Sequence, residues 1–261
     1  TNLTNRLLTN VGDMKNRGVE FNINTYPISK TDFSWQVGFN VTYNENEITR
    51  LTSTDDPTYQ GVETGGISGG VGNTVQIHSV GYPRSSFFVY EQVYDESGNP
   101  LEGVYVDRNG DGTITAQDKY RYQDPTPDTY MGFNSSLKYK NFDFRFSGRV
   151  NIGNYVYNNI ASNNNIVGQA YTNPGFLTNM TTSVYDAAFQ NAQYFSDYYV
   201  RNGSFLRLDN VTLGYTFNKL TNQNINLRLY GTVRNALLVT NYEGLDPEME
   251  SGIDNNLYKI C

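Results

Sequence analysis

Hydrophobic and polar positions alternate along much of this chain with a period of two. In FSWQVGFNVTYNEN, residues Phe33, Trp35, Val37, Phe39, Val41 and Tyr43 hold one parity, and Ser34, Gln36, Gly38, Asn40 and Thr42 hold the other. Successive side chains of an extended chain point to opposite faces, so the stretch predicts a strand with one apolar and one wet face. Val19, Phe21 and Ile23 alternate with Glu20, Asn22 and Asn24 in the same way. Residues 87–94, 131–139, 142–152, 211–217 and 225–233 complete a set of seven expected strands. Each is near the ~10 residues that a tilted strand needs to cross a bilayer.

The connections differ in length by side. They are tight at 27–31, 140–141 and 218–224, and long at 45–86, 95–130 and 154–203. Loops of that length are uncommon in compact domains unless they carry function. Short turns at one end and long loops at the other match the layout of outer-membrane barrels. In the last long loop, SVYDAAFQNAQ (183–193) predicts a short helix capped by Ser183. The aromatic face would then lie against lipid. A β-sandwich core is the alternative that the same period allows.

Composition changes this picture in three places. Mean hydropathy is -0.56, which suits a soluble protein but equally a membrane barrel, whose strands spend half their residues on a polar face. No run approaches the ~18 consecutive apolar residues of a spanning helix. The counts of 22 Tyr, 14 Phe and 24 Gly, with 17% charged residues, favour β structure over helical bundles. A net charge of -7 argues against a nucleic-acid partner. The single cysteine, Cys261, excludes a disulfide framework and a cysteine-based zinc site. Thr1 opens a polar stretch that is no signal peptide, so the chain reads as a fragment of an exported protein.

The sharpest local motif is DRNGDGTITAQD, residues 107–118. Asp107, Asn109 and Asp111 place oxygens at positions one, three and five, with Gly112 at six, Thr113 at seven, Thr115 at nine and Asp118 at twelve. That is EF-hand spacing, because a loop around a hard cation returns an oxygen at alternate positions and turns sharply at the glycine. Thr113 would contribute its backbone carbonyl, and Ca2+ is the expected, structural ion. Asp118 is one methylene shorter than the usual glutamate, which weakens bidentate closure. Turn formation by Asn-Gly and Asp-Gly is the plainer reading of the same residues.

Other candidates carry less. His78 is the only histidine and reads as a solvated loop residue. Glu243, Asp246, Glu248 and Glu250 read as a solvated turn, and the pairs Gly65-Gly66 and Gly69-Gly70 lack the context of a phosphate loop. No catalytic constellation is present, so the chain reads as no enzyme. Tyr59, Tyr82, Tyr155, Tyr157, Tyr171, Tyr185, Tyr194, Tyr198 and Tyr199 fall in the loops. There they would pack loop on loop, form a girdle, or stack on sugar rings. Parity assigns Asn22, Asn24, Gln36, Asn40, Arg228 and Arg234 to a polar lumen.

Three stretches together carry a family resemblance: VGDMKNRGVEFNI (11–23), DRNGDGTITAQDKYRYQDPTPDTYMGFNSSLKYKNFDF (107–144), and NGSFLRLDNVTLGYTF (202–217) with VRNALLVTNYEGLDPEME (233–250). In that order they resemble the C-terminal part of SusC/RagA-like TonB-dependent outer-membrane transporters of Bacteroidetes. The resemblance implies an all-β fold, the C-terminal portion of a roughly 22-stranded antiparallel transmembrane β-barrel with long extracellular loops and a plugged lumen. Residues 1–261 would be barrel alone, with the plug domain and final strand absent and the EF-hand-like loop (107–118) set in an extracellular loop. The family implies a bacterial outer-membrane location in contact with lipid and a SusD-like surface lipoprotein. It also implies TonB-ExbB-ExbD acting through the missing plug, with Arg228 and Arg234 as partners for plug carboxylates, and import of oligosaccharides or peptides. A soluble calcium-stabilised β module for glycan binding or adhesion is the reading from another class, and a passive porin shares the fold.

Overall fold

A computed structural model describes residues 11–54, 56–70, 72–171, 179–218 and 225–248, with the side chain of Gln169 left aside. Glu250, Cys261 and most of the turn after Asn218 lie outside the described residues. Fourteen strands follow one another: β1 (Asp13–Ser29), β2 (Phe33–Arg50), β3 (Val62–Gly66), β4 (Thr74–His78), β5 (Ser86–Val89), β6 (Gln92–Tyr94), β7 (Pro100–Tyr105), β8 (Tyr120–Arg121), β9 (Thr129–Tyr139), β10 (Phe142–Ile152), β11 (Tyr155–Tyr157), β12 (Val200–Asn202), β13 (Phe205–Phe217) and β14 (Leu227–Thr240). Two short α-helices, α1 (Asn159–Asn164) and α2 (Val184–Ala187), interrupt them. No helix among the described residues is long and apolar enough to cross a membrane.

Six of these strands form one antiparallel sheet in the order β1-β2-β9-β10-β13-β14. Its register carries most apolar positions onto one another. Ile23 faces Phe39, Phe39 faces Phe133, Leu137 faces Phe144, Phe144 faces Leu213, and Tyr215 faces Leu229. The opposite face is mainly polar: Asn22 faces Asn40, Asn40 faces Gly132, Ser147 faces Asn210, and Asn210 faces Arg234, with Phe205 and Leu238 as apolar members at the rim. Nothing described covers the apolar face. Phe21, Leu213, Leu229 and Val233 are 54%, 56%, 57% and 59% exposed, which a sandwich core does not allow and a lipid-facing wall requires.

The apolar band has edges. At the tight-turn end a row of rings crosses the sheet, with Phe33 on Tyr139 (6.3 Å), Phe142 on Tyr215 (4.6 Å) and Tyr215 on Phe217 (4.7 Å). At the other end the parity changes character after Tyr43, where Glu45 pairs with Arg17 at 2.8 Å. Ten steps from Phe33 to Tyr43 make about 33 Å of strand, which rises about 25 Å at a barrel's tilt. That is the height of a bilayer's apolar band. The indole N–H of Trp35 would be costly in hydrocarbon, and it donates to Ser135 Oγ at 2.9 Å.

Two features depart from the expected pattern. β1 and β2 run to 17 and 18 residues, so they project beyond the band. Between Leu208 and Asn210 the ladder shifts by a residue, with a matching irregularity in β14 where Asn235 takes φ 48°. This bulge removes Asp209 from the alternation and lets Leu206 and Leu208 rejoin the apolar face.

Residues 87–94, expected as the remaining bilayer-crossing strand, do not join this sheet. β5 is four residues long, buried throughout, and lies in a separate sheet ordered β3-β4-β5-β8. The three expected long loops are two excursions, 51–128 and 153–204, which pack together. Ile67, Val75, Phe87 and Val89 from the first meet Tyr157, Ala161, Ala187, Phe189, Tyr198, Tyr199 and Val200 from the second in one core. Lys119 joins them too, its ammonium 4.1 Å from the Phe195 ring and 5.6 Å from those of Phe88 and Tyr90. The main hydrophobic core thus sits in the loops. The expected helix over 183–193 shortens to α2: Ser183 makes no side-chain cap and Ala188 turns left-handed at φ 46°, sending Phe189 into the core.

Candidate functional site

The polar face of the six-stranded sheet gathers Asn22, Asn24, Gln36, Asn40, Arg228 and Arg234 on one side, as parity required. Asn24 donates to Asn22 Oδ1 at 3.0 Å, and Asn40 Oδ1 accepts from the Gly132 N–H at 2.8 Å. Arg228 is engaged within the chain. Its Nε and NH2 reach the carboxylate of Asp143 at 3.0 and 2.6 Å, so it is not the free partner for plug carboxylates that the sequence suggested. The bridge spans from β10 to β14 across β13 because Gly214 lies beneath it. A Cβ there would come within 2.6 Å of Asp143 Oδ1 and 2.7 Å of Arg228 NH2.

At the rim, on the side of the long excursions, the same face carries Arg149 and Arg207 at partner positions of β10 and β13. Like charges directly opposite are unfavourable, and residues 241–248 answer them. Asp246 reaches Arg207 NH2 at 2.7 Å, and Glu248 reaches Arg149 NH2 at 2.9 Å and Arg207 Nε at 2.7 Å. The Nε contact is an ion pair without hydrogen-bond alignment. The bulged Asp209 adds 3.4 Å to Arg149. Residues 244–248 are therefore no solvated turn: Pro247 is fully buried and Arg207 keeps 9% exposure. Strand parity was the available signal for Arg149, whereas the bulge at Asp209 hid it for Arg207, and their meeting depends on the β10–β13 register.

The EF-hand-like loop folds on its own backbone. Asp107 accepts from the N–H groups of Gly110 and Gly112, both at 2.7 Å, Asn109 from that of Asp111 at 2.9 Å, and Asp111 from that of Thr113 at 2.8 Å. Asp118, fully buried, accepts from Thr115 (2.8 Å), Arg108 (3.0 Å) and Asn109 (3.3 Å). These N–H donors, Thr115's foremost, hold its carboxyl below the usual range. The oxygens suit a hard cation in type. Among the described residues, however, no group of three or more His, Cys, Asp or Glu side chains is placed to hold a metal.

The remaining candidates resolve individually. His78 ends β4, partly buried, and its Nδ1 accepts from the Ser85 N–H at 3.1 Å, so it is not a solvated loop residue. Burial lowers its pKa. Tyr157, Tyr198 and Tyr199 pack the excursions together, whereas Tyr185 stands 86% exposed. Gly69 passes so close to the Tyr194 ring that a Cβ would fall 2.2 Å from it, a packing role rather than a phosphate cradle.

Asp197 was not singled out in the sequence, yet it joins the excursions. It accepts from Tyr120 Oη at 2.7 Å and from the Gln92 N–H at 3.0 Å. Burial pushes its carboxyl above the ordinary range. The folded state thus holds this proton to higher pH than the unfolded chain does. The associated stability is present below the unfolded value near 3.8 and lost as pH rises through the folded one. Asp197→Asn should flatten that loss and leave the excursions at least as stable at pH 7, read by pulse proteolysis of the full-length protein between pH 4 and 7. A variant with unaltered pH dependence would contradict this.

Comparison with known proteins places the whole arrangement. No family model matches the chain. It is 46% identical over 265 residues to the TonB-dependent receptor SusC of Bacteroides thetaiotaomicron, covering 99% of this chain and 26% of that protein. TonB-dependent receptor P3 of Formosa agariphila is 32% identical over 273 residues, covering 95% and 26%. A structure of the RagAB peptide transporter superposes with TM-score 0.68 at 25% identity, over 91% of this chain and 27% of that one. The RagAB peptide importer in its open-open state gives 0.66 at 26% identity, over 90% and 26%. The chain spans about a quarter of the length of the curated relatives it matches. These relatives are TonB-dependent receptors and a peptide transporter, not enzymes. The chain belongs to the SusC/RagA-like TonB-dependent receptors and corresponds to the C-terminal barrel region of that family.

Proposed function

We propose that this chain forms part of the barrel wall of a TonB-dependent importer in the bacterial outer membrane, working with a SusD-like surface lipoprotein on oligosaccharides. The observation that carries this reading is the continuous two-faced sheet, apolar and uncovered on one side and polar on the other. Asn22, Asn24, Gln36, Asn40, Arg228 and Arg234 would line its lumen. Energy would come from TonB-ExbB-ExbD acting on a plug supplied by the rest of the receptor. Peptide cargo is the second reading, because the RagAB structures are those of a peptide transporter. Deleting the receptor in its host should abolish growth on oligosaccharides taken up intact and spare growth on peptides. Loss on peptides alone would favour the second cargo, and unchanged growth and uptake on both would remove the importer reading. A soluble glycan-binding module predicts instead a monodisperse protein without detergent.

The EF-hand-like loop, with Asp107, Asn109, Asp111, Thr113 and Asp118 as ligands, would bind Ca2+ and stiffen the first excursion. Its support is the oxygen spacing and the curl already set by backbone N–H groups. Chelator should lower the melting midpoint of the full-length receptor by a few degrees, and added Ca2+ should restore it. An unmoved midpoint sinks the cation reading and leaves the importer untouched.

A further inference from the structure

Residues 241–248 leave the end of β14 and do not stand clear of the sheet. Tyr242 N–H donates to Thr240 Oγ1 at 3.1 Å, Gly244 packs under the Tyr242 ring, and Pro247 is fully buried. The segment then crosses β13 to reach Arg149 on β10. Neighbouring strands lie about 4.8 Å apart, so it covers roughly 10 Å of the polar face at its rim. Leu245 forms the outward crest at 76% exposure.

Three contacts fix it there: Asp246 and Glu248 on Arg207, and Glu248 on Arg149. Asp246 Oδ1 also accepts from the Glu248 N–H at 3.0 Å, so the two carboxylates are presented as one shaped anion. Without them the two arginines would face each other across adjacent strands, with Asp209 alone left against Arg149. The positions are thus matched for closing and unfavourable when parted. Only Glu248 touches both arginines, which makes it the central pin.

We infer that residues 241–248 are an ion-latched strap that folds inward over the extracellular mouth of the lumen and narrows it, closing on Arg149 and Arg207. The inference rests on the polar face being lumenal. Thr212 lies further down the same polar face of β13, its hydroxyl paired with that of Thr232 at 2.9 Å. Gln36, three strands away on the same polar face, lies outside its reach. Partly exposed ion pairs weaken with salt, so the latch loosens as ionic strength rises.

Cysteine labelling in intact cells tests this, using the full-length receptor with Cys261→Ser and a single reporter at Thr212→Cys or Gln36→Cys. With a membrane-impermeant maleimide, Asp246→Asn/Glu248→Gln should raise labelling of the Thr212 reporter at least about fivefold and leave the Gln36 reporter unchanged. Raising salt from about 0.05 to 0.5 M should do the same without the latch substitutions, and do nothing further with them. If the double variant loses the heat-modifiable folded form, Glu248→Gln alone and the salt arm carry the test. Unchanged Thr212 labelling in folded receptor, with Gln36 reactive, overturns the strap alone. A Gln36 reporter that reacts only with a lipid-soluble maleimide overturns the lumenal reading and the strap with it.

Discussion

Val37→Arg should cost the assembled receptor about 2–4 kcal/mol, the penalty for a cation at the bilayer midplane of a barrel's outer wall, while the adjacent Gln36→Arg should cost well under 1. Val37 sits midway between the ring row at Phe33 and the band edge at Tyr43, and its partner Ser135 shares its face. Gln36 faces Ser136 on the polar side. Urea unfolding of each variant in lipid vesicles measures both costs. Comparable penalties at the two positions would mean that the faces do not meet different solvents. A penalty for Val37→Arg that persists without lipid or detergent would indicate a packed protein core.

Phe189→Ala should destabilise the joined excursions by about 3–5 kcal/mol, as expected for emptying a fully buried aromatic site. Phe189 has 0% exposure and meets the Tyr198 ring edge-on at 5.9 Å. Its core is separate from the six-stranded sheet, so the damage should stay local. Limited proteolysis should cut within 153–204 far faster than in the parent, while the barrel keeps its heat-modifiable mobility. Loss of both together would mean that excursions and barrel fold as one cooperative unit.

The barrel wall was legible in the sequence because a period of two survives whatever the strands pair with. Residues 33–43 announce both faces unaided. The misreading of 87–94 has a physical cause. FFVY is a continuous apolar run rather than an alternation, and such runs mark strands buried on both sides, which is where β5 lies. Asp209 was illegible for a different reason: a bulge resets parity, and nothing local in RLDNV marks it. The polar lining could be assigned, but the Arg228–Asp143 bridge could not, because it needs β10, β13 and β14 set side by side with a glycine between. The Arg149–Arg207 pair likewise exists only through register, so the carboxylates of GLDPEME seemed free. The EF-hand-like loop was read from its oxygen spacing as a cation site, and its curl follows from side chains bonding the backbone two to five residues on.

The most direct measurement is a spin-label scan of residues 33–43 in the full-length receptor reconstituted in lipid. Collision with oxygen, which concentrates in hydrocarbon, should peak at odd positions. Collision with a water-soluble nickel chelate should peak at even ones, the two profiles running in antiphase through Trp35 and Gln36. Profiles that rise and fall together, or odd positions closed to both reagents, would contradict a wall with lipid on one side and water on the other.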